Sequence, residues 1–325
     1  MNLHLNPEEY RADDSRKLPS ISYLMPAYNC ASTVEESVES IMDGNFVEGD
    51  ELIITNDCST DQTAEVLSRL QEKYPVMILI HHARNKGCSA SRNTAADRAG
   101  NPLFFSLDSD NILLPSSVME LKRFLIEHKT DVASFGRLSY FKDKEKTITH
   151  EWVFGKGEVT LADHLSKKRV PGASGNYLFT KESWLRAGGY AEFAGGLDAW
   201  GFALRQLATG SKMMAMPDSS YLHRYGHDSL WVRDYKKGKT SLVALQILLP
   251  FIDQIAEEDV DYIMGPEGRY HWFEELEKRP VRVRGQLPNL RYQPEVIGQS
   301  RSYGMMGGLL QKVRHGMRAV AQSFK

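Results

Sequence analysis

The chain has 325 residues, 42% hydrophobic and 25% charged, enough for one large α/β domain with an extension or for two modest domains. Its formal net charge of −2 gives no global basic field of the kind nucleic-acid binding needs, and no apolar run approaches the roughly 18 residues of a membrane span. Cys30, Cys58 and Cys88 are an odd, scattered set, expected as reduced thiols rather than as a disulfide frame or a zinc site.

Residues 1–19 are polar and lack an apolar h-region, so they are expected to form an N-terminal arm on a cytoplasmic protein. Short β-rich runs follow at Ile21–Met25, Glu51–Thr55, Val76–His81, Leu103–Leu107 and Val132–Gly136. Their starts are spaced by about the length of a strand plus a crossover helix. The segments between them carry helical spacing. Ser32-Thr33-Val34-Glu35 reads as a capping box ahead of Val34, Val38 and Ile41. Thr60 is a cap for a helix striped by Ala64, Leu67 and Leu70, and Ser89–Ala99 is a third helix ending at Gly100. Alternating strands and helices predict an α/β fold with a mostly parallel, mixed sheet sandwiched by helices.

Beyond residue 137 the rhythm breaks. Phe141–Lys146 is a charged tip between two strands, and residues 150–240, rich in Gly, Trp, Tyr and His, form a mixed region lining a site. Ser241–Ile255 turns helical again, while 280–303, with Pro280, Pro288 and Pro294, reads as a loop or wrapping arm.

In an open α/β sheet, ligands bind outside the carboxyl ends of the strands. Four clusters lie there: Pro26-Ala27-Tyr28-Asn29, Asn56–Asp61, Asn85-Lys86-Gly87 leading to Arg92, and Asp108-Ser109-Asp110. The two carboxylates of the last cluster can reach one divalent cation, or one cation and one ribose, and hard oxygen ligands suit Mg²⁺ or Mn²⁺. Asp57 can accept a hydrogen bond from a base or ribose, Thr60 or Ser59 being able to cap the helix instead. Lys86 and Gly87, before a helix N-terminus, suit a pyrophosphate, and Arg92 can assist; the competing role for both cations is solvated surface charge.

These residues, in this order, resemble the inverting glycosyltransferases of the GT-A fold, in particular glycosyltransferase family 2, over about residues 20–230. The resemblance rests on Met25–Asn29, Glu51–Thr63, Asn85–Asn93 and Asp108–Asp110. It implies a Rossmann-like GT-A domain over 20–235, with a nucleotide-sugar-binding half at 20–136, an acceptor-binding half at 137–235, and a helical or irregular C-terminal extension at 236–325. It implies Ala27 and Tyr28 flanking the nucleotide base, Asp57 on that base, Asp108 or Ser109 toward the ribose, and Asp110 as principal metal ligand. Asn56 stands where the family usually has a first aspartate. Asp198, in Gly195–Arg205, is the catalytic-base candidate, although Leu197 replaces a common acidic residue and Arg205 comes one position late; its competing role is helix capping. His223, or alternatively His227, is a further metal or diphosphate ligand, and Trp184, Trp200 and Trp231 are candidates for an acceptor platform, against core packing.

The implied activity is transfer from a nucleotide-sugar, a UDP-sugar by preference, to a hydroxyl of a glycan or lipid-linked saccharide, with Mn²⁺ or Mg²⁺. A sugar nucleotidyltransferase is the first competitor, but residues 24–34 lack its Gly-rich phosphate loop. A catalytically degenerate binding module is the second. The apolar positions of Met305–Phe324, with Lys312, Arg314, His315 and Arg318, predict a basic amphipathic helix. It either docks on its own domain or on a second subunit, which is the preferred reading, or lies peripherally on a membrane.

Overall fold

A computed structural model describes residues 18–142, 144–226 and 229–284. The first strands are β1 (Ile21–Ala27), β2 (Glu51–Asn56), β3 (Met77–His81) and β4 (Leu103–Ser106). They alternate with α1 (Val34–Met42), α2 (Thr63–Lys73) and α3 (Cys88–Arg98). Then come α4 (Ser117–Glu127), β5 (Val132–Phe141), β6 (Ile148–Val153), β7 (Gly157–Val159) and α5 (Leu161–Ser166). β8 (Tyr177–Thr180), α6 (Lys181–Ala187), α7 (Asp198–Ala208) and β9 (Met213–Arg224) complete the sheet and its cover. The chain continues through α8 (Leu230–Lys236), α9 (Thr240–Leu248), α10 (Glu257–Met264) and α11 (Trp272–Glu275).

The sheet order is β3-β2-β1-β4-β8-β5-β9-β7, with β6 on β5. β1, β2, β3 and β4 pair in parallel, as do β5 and β9. β8 is inserted antiparallel between β4 and β5, so β5 still runs with β4 although it does not touch it. Only β8, β6 and β7 run against the rest among the described strands. The sheet is thus mostly parallel and mixed, as expected. Its antiparallel member escapes a periodicity reading because Tyr177–Thr180 is only four residues long.

Strand alternation divides the apolar side chains between two faces. Tyr23, Met25, Leu52, Ile54 and Phe105 join Val34, Val38 and Ile41 of α1, Leu67 and Leu70 of α2, and Leu121 and Leu125 of α4. Leu24, Ile53 and Phe104 face the other way, onto Ala95 and Ala96 of α3, Trp184 of α6 and Phe202 of α7. Each such side chain contributes roughly 1.5–3 kcal/mol on full burial. A third core, built on Leu197, Trp200 and Leu204 of the α7 region, receives Ala244, Ile247, Leu248, Trp272 and Phe273 from beyond residue 236.

Three local expectations are corrected. α1 begins at Val34 with no side-chain cap; the Thr33 hydroxyl donates instead to the carbonyls of Cys30 and Ser109, tying the helix to the turn after β4. α2 begins at Thr63 rather than after Thr60, and the Asp61 carboxylate accepts the Thr63 amide at 3.0 Å. α3 ends at Arg98 with Ala99 extended, and the Gly100 amide donates to Glu51 at 2.6 Å instead of closing a left-handed cap.

The charged tip lies between the antiparallel strands β5 and β6. The predicted C-terminal helix at Met305–Phe324, most of 280–303 and most of the N-terminal arm lie outside the described residues. Among the described residues, no helix is long and apolar enough to cross a membrane.

Candidate active site

The loops after β1 and β2 are stitched together. Asn29 sits in the left-handed region (φ 49°), and its carboxamide oxygen accepts the Thr60 amide at 2.8 Å while its own amide donates to Ser59 Oγ at 3.1 Å. This is why Thr60 does not cap α2. Asn56, the departure from the family pattern, has a structural role: its Oδ1 accepts the Ser59 hydroxyl at 2.7 Å and its Nδ2 lies 3.1 Å from His81. The lacing leaves Tyr28 37% exposed at the end of β1, beside the buried Ala27.

Asp57 is not free, contrary to the expectation. It is 2% exposed, and its two oxygens accept the Lys86 amide at 2.8 Å and the Gly87 amide at 2.7 Å. His82 Nδ1 lies 2.7 Å from the same carboxylate, and Asn85 donates to the Asp57 carbonyl at 3.3 Å. A carboxylate thus already sits at the positive end of α3, holding the loop that presents Lys86, whose side chain is exposed. Gly87 (φ 92°) makes the turn a side chain would strain.

Arg92 is the link sequence reasoning did not draw. It is 3% exposed, on the inner face of α3. One terminal nitrogen binds Asp198 at the start of α7, 106 residues away, and the other binds Asp108 after β4. Its Nε donates to Ser106 at 3.0 Å. Arg92 is therefore a buried bridge rather than a surface charge, and it brings the metal-turn candidate and the base candidate to one point. Asp198 is not the N-cap of α7, which is Leu197, although its Oδ1 accepts the Ala199 amide at 2.7 Å.

Asp108 is further held by Asn176, whose Oδ1 accepts the Asp108 amide at 2.7 Å and whose Nδ2 donates to its carboxylate at 3.2 Å. Burial raises the Asp108 carboxyl, Arg92 draws it down, and Asp110 and Asp198 push it up again, leaving it at about 6. Gly175 (φ 87°) closes over this group; a Cβ there would stand 3.3 Å from Arg92 Nη2 and 3.5 Å from Asp108 Oδ2.

The turn after Asp108 is fastened to the carboxyl end of β9. Ile112 and Leu222 exchange backbone hydrogen bonds at 3.0 and 2.9 Å. Arg224 donates from Nε to the Asp110 carbonyl at 3.1 Å and from its amide to Asn111 Oδ1 at 3.0 Å, and its guanidinium binds Glu36 of α1. His223 lies in β9 between Leu222 and Arg224, opposite Tyr140 of β5, its ring 4.9 Å from that of Tyr140. His227 lies outside the described residues.

Asp110 and His223 are both half-buried; the carboxylate is a ligand type suited to Mn²⁺ or Mg²⁺, whereas an imidazole is a softer ligand that does not suit Mg²⁺. No cluster of three or more His, Cys, Asp or Glu side chains that could hold an ion occurs among the described residues.

Of the three tryptophans, Trp184 and Trp200 are in the core, 9% and 1% exposed. Trp200 Nε1 donates to the His164 carbonyl at 3.1 Å. Trp231 is 37% exposed. Arg205 lies away from the crevice, donating to the carbonyls of Ala187 and Gly189. Sequence reasoning missed His82, Asn176 and Arg224. The Gly172–Gly175 spacing before Asn176 was a legible sign of a tight approach, whereas His82 and Arg224 carried no local signal.

A doubly covered sheet whose strand ends carry Asp57, Asp108 and Asp110, with Asp198 joined to Asp108 through Arg92, is the architecture of the GT-A glycosyltransferases. The glycosyl transferase family 2 model matches residues 22–189, and the chain belongs to that family. It is 36% identical over 110 residues to the chondroitin synthase of Pasteurella multocida, a stretch covering 34% of this chain and 11% of that enzyme. In fold it is similar to Staphylococcus aureus TarS residues 1–349, solved in complex with UDP-GlcNAc. The TM-score is 0.59 at 18% identity, covering 78% of this chain and 72% of that one. It is also similar to the mannosyltransferase PcManGT of Pyrobaculum calidifontis, solved with GDP-Man and Mn²⁺. There the TM-score is 0.55 at 17% identity, with coverage of 82% and 75%.

Proposed function

We propose that the chain is a metal-dependent, inverting glycosyltransferase that moves a sugar from a UDP-sugar to a hydroxyl of a glycan or glycolipid during polysaccharide or glycoconjugate synthesis. The observation that carries this reading is the Arg92 bridge, which sets the Asp108–Asp110 turn and Asp198 on opposite sides of one buried guanidinium. Residues 20–136 bind the donor and 137–235 the acceptor, and the segment beyond 236 buttresses α7 through the third core.

Ala27 and Tyr28 flank the base, and Asp57 keeps the Asn85–Gly87 loop in place with Lys86 toward the diphosphate. Asp108 and Ser109 face the ribose and sugar side, while Asp110 and His223 would hold the ion. When bound, a divalent cation supplies positive charge opposite the leaving diphosphate. Asp198 takes the proton of the acceptor hydroxyl as its oxygen bonds to the anomeric carbon and the bond from that carbon to the diphosphate oxygen breaks. One base and one displacement give inversion. The donor class is supported by the UDP-GlcNAc and GDP-Man that the TarS and PcManGT structures carry.

Thermal unfolding with UDP, GDP, CMP and dTDP, each with and without Mn²⁺, tests the donor half. A nucleotide at about 100 times its Kd stabilises the fold by roughly 2.7 kcal/mol, a shift of a few degrees. The expected result is a Mn²⁺-dependent rise with UDP that Asp110→Ala removes. A larger rise with another nucleotide overturns the UDP assignment, and no rise with any overturns the donor site.

A further inference from the structure

The turn after β4 is gripped from both sides. From α1's approach, the Thr33 hydroxyl donates to the Ser109 carbonyl at 3.0 Å. From β9, the Arg224 amide donates to Oδ1 of the fully buried Asn111 at 3.0 Å, while Asn111 Nδ2 donates to Asp108 at 3.3 Å. The Arg224 side chain then folds back, and its Nε donates to the Asp110 carbonyl at 3.1 Å. Ser109, Asp110 and Asn111 are thus all held by partners outside the turn.

A donor can hold a carbonyl only if it is held itself. The Arg224 side chain is 14% exposed, its guanidinium lies 4.5 Å over the buried Phe141 ring, and its Nη2 binds Glu36. The other oxygen of Glu36 lies 3.3 Å from Lys146 Nζ. Glu36 stands in the first turn of α1, where the helix end alone favours a carboxylate, but that role needs no partner on β9. The arginine fork is planar and rigid, so a carboxylate that fixes Nη2 also fixes where Nε points. Anchoring the planar peptide after Asp110 in turn restricts the backbone torsions from which the Asp110 carboxylate projects.

We infer that Arg224 is a positioning residue for the Asp110 carboxylate and that Glu36 orients Arg224. The inference rests on the reading of Asp110 as ligand of a divalent cation shared with the donor diphosphate. Charge and position predict opposite signs for Arg224. Removing a cation beside a metal ligand raises metal affinity by Coulomb's law, whereas removing a brace lowers it, by about 10–100-fold for groups that orient a ligand.

Calorimetric titration of UDP into the full chain, with and without Mn²⁺, reads the metal-dependent gain in affinity. Amide hydrogen exchange of the ligand-free chain reads the turn. Arg224→Gln and Glu36→Gln are compared with Glu35→Gln, which removes the neighbouring carboxylate of α1, paired with Arg69 instead. The Mn²⁺-dependent gain is expected to fall about tenfold in Arg224→Gln and several-fold in Glu36→Gln, with metal-free UDP affinity unchanged and Glu35→Gln like wild type. The peptide covering 108–112 is expected to exchange several-fold faster in the first two variants. The Glu36 side chain is 40% exposed, so its substitution keeps a folded protein to measure even where Arg224→Gln does not fold. A gain unchanged or larger in Arg224→Gln overturns the inference, as does a loss in Glu35→Gln equal to that in Glu36→Gln, or exchange at 108–112 equal to wild type. No Mn²⁺-dependent gain in the wild type, with exchange still faster in the two variants, would instead remove the metal reading and support the brace.

Discussion

Replacing Arg92 with methionine keeps most of the side-chain volume and removes the cation between two carboxylates. Arg92 is 3% exposed, and the side chains of Asp198 and Asp108 are 8% and 26% exposed, so water cannot readily replace the guanidinium. Two carboxylates that share one guanidinium lie within about 6 Å of each other, and at an effective dielectric near 20 their repulsion is ~3 kcal/mol. Breaking a buried ion pair by removing one partner costs about 3–5 kcal/mol, which agrees. The expected destabilisation of Arg92→Met is therefore ~3–4 kcal/mol at pH 7.5, read as a lowered urea midpoint. The sign with pH follows from Asp108, whose carboxyl already stands raised at about 6. A carboxyl raised in the fold contributes stability at low pH that is lost as pH rises through its folded value. Without Arg92 it rises further, so the deficit of the variant narrows as pH falls from 7.5 to 5.5. A midpoint equal to wild type at pH 7.5, or a deficit identical at both pH values, refutes the bridge as an energetic link.

Asp57→Asn leaves one oxygen for the two amides it now accepts and replaces the other with a donor facing the Gly87 amide. A loss of about 1–3 kcal/mol in stability, with weaker UDP binding by calorimetry, is expected; unchanged UDP affinity would remove the loop from the donor site. His164 is fully buried with neither ring nitrogen hydrogen-bonded, and burial pushes it from 6.5 to about 3. A base depressed in the fold contributes stability that is full above about pH 6.5 and declines below it, by about 2 kcal/mol at pH 5. Between pH 7.5 and 5, His164→Leu should lose about that much less than wild type in urea denaturation, and parallel losses would contradict the assignment.

The first half of the fold was legible because its strands are apolar on both faces and its helices carry clear stripes. Leu24 and Ile53 fill one core while Tyr23 and Ile54 fill the other, so the strand runs read as continuous hydrophobic blocks. β8 was not legible: four residues running straight into α6 carry no period, and its antiparallel insertion is a long-range pairing. The strand-end clusters were visible because topology places them, but their partners were not. Thr33 and Thr60 have good capping identities, yet each donates across to another loop, Thr33 to the Ser109 carbonyl and Thr60 to the Asn29 carboxamide oxygen, where tertiary hydrogen bonds satisfy more groups than a local cap. Arg92 read as an aid to the pyrophosphate or as surface charge, and its bridge was not legible because nothing local shows that Asp198 folds back over α3. Trp184 and Trp200 went to the core, the commoner fate of large aromatic side chains, while Trp231 stayed in solvent.

The central claim is that Asp198 removes the acceptor's proton, and Asp198→Asn tests it most directly. Asparagine keeps the shape, but its one carbonyl oxygen can accept Arg92 or the Ala199 amide and not both on separate oxygens as Asp198 does, so the urea midpoint of the variant is measured alongside to separate loss of the base from loss of the fold. The measurement is turnover of a UDP-sugar against an acceptor oligosaccharide, with UDP affinity determined on the same preparation. A fall in kcat of about 10²–10⁴-fold at unchanged UDP affinity is the predicted result. Near wild-type turnover would contradict the account and return the role of base to another residue.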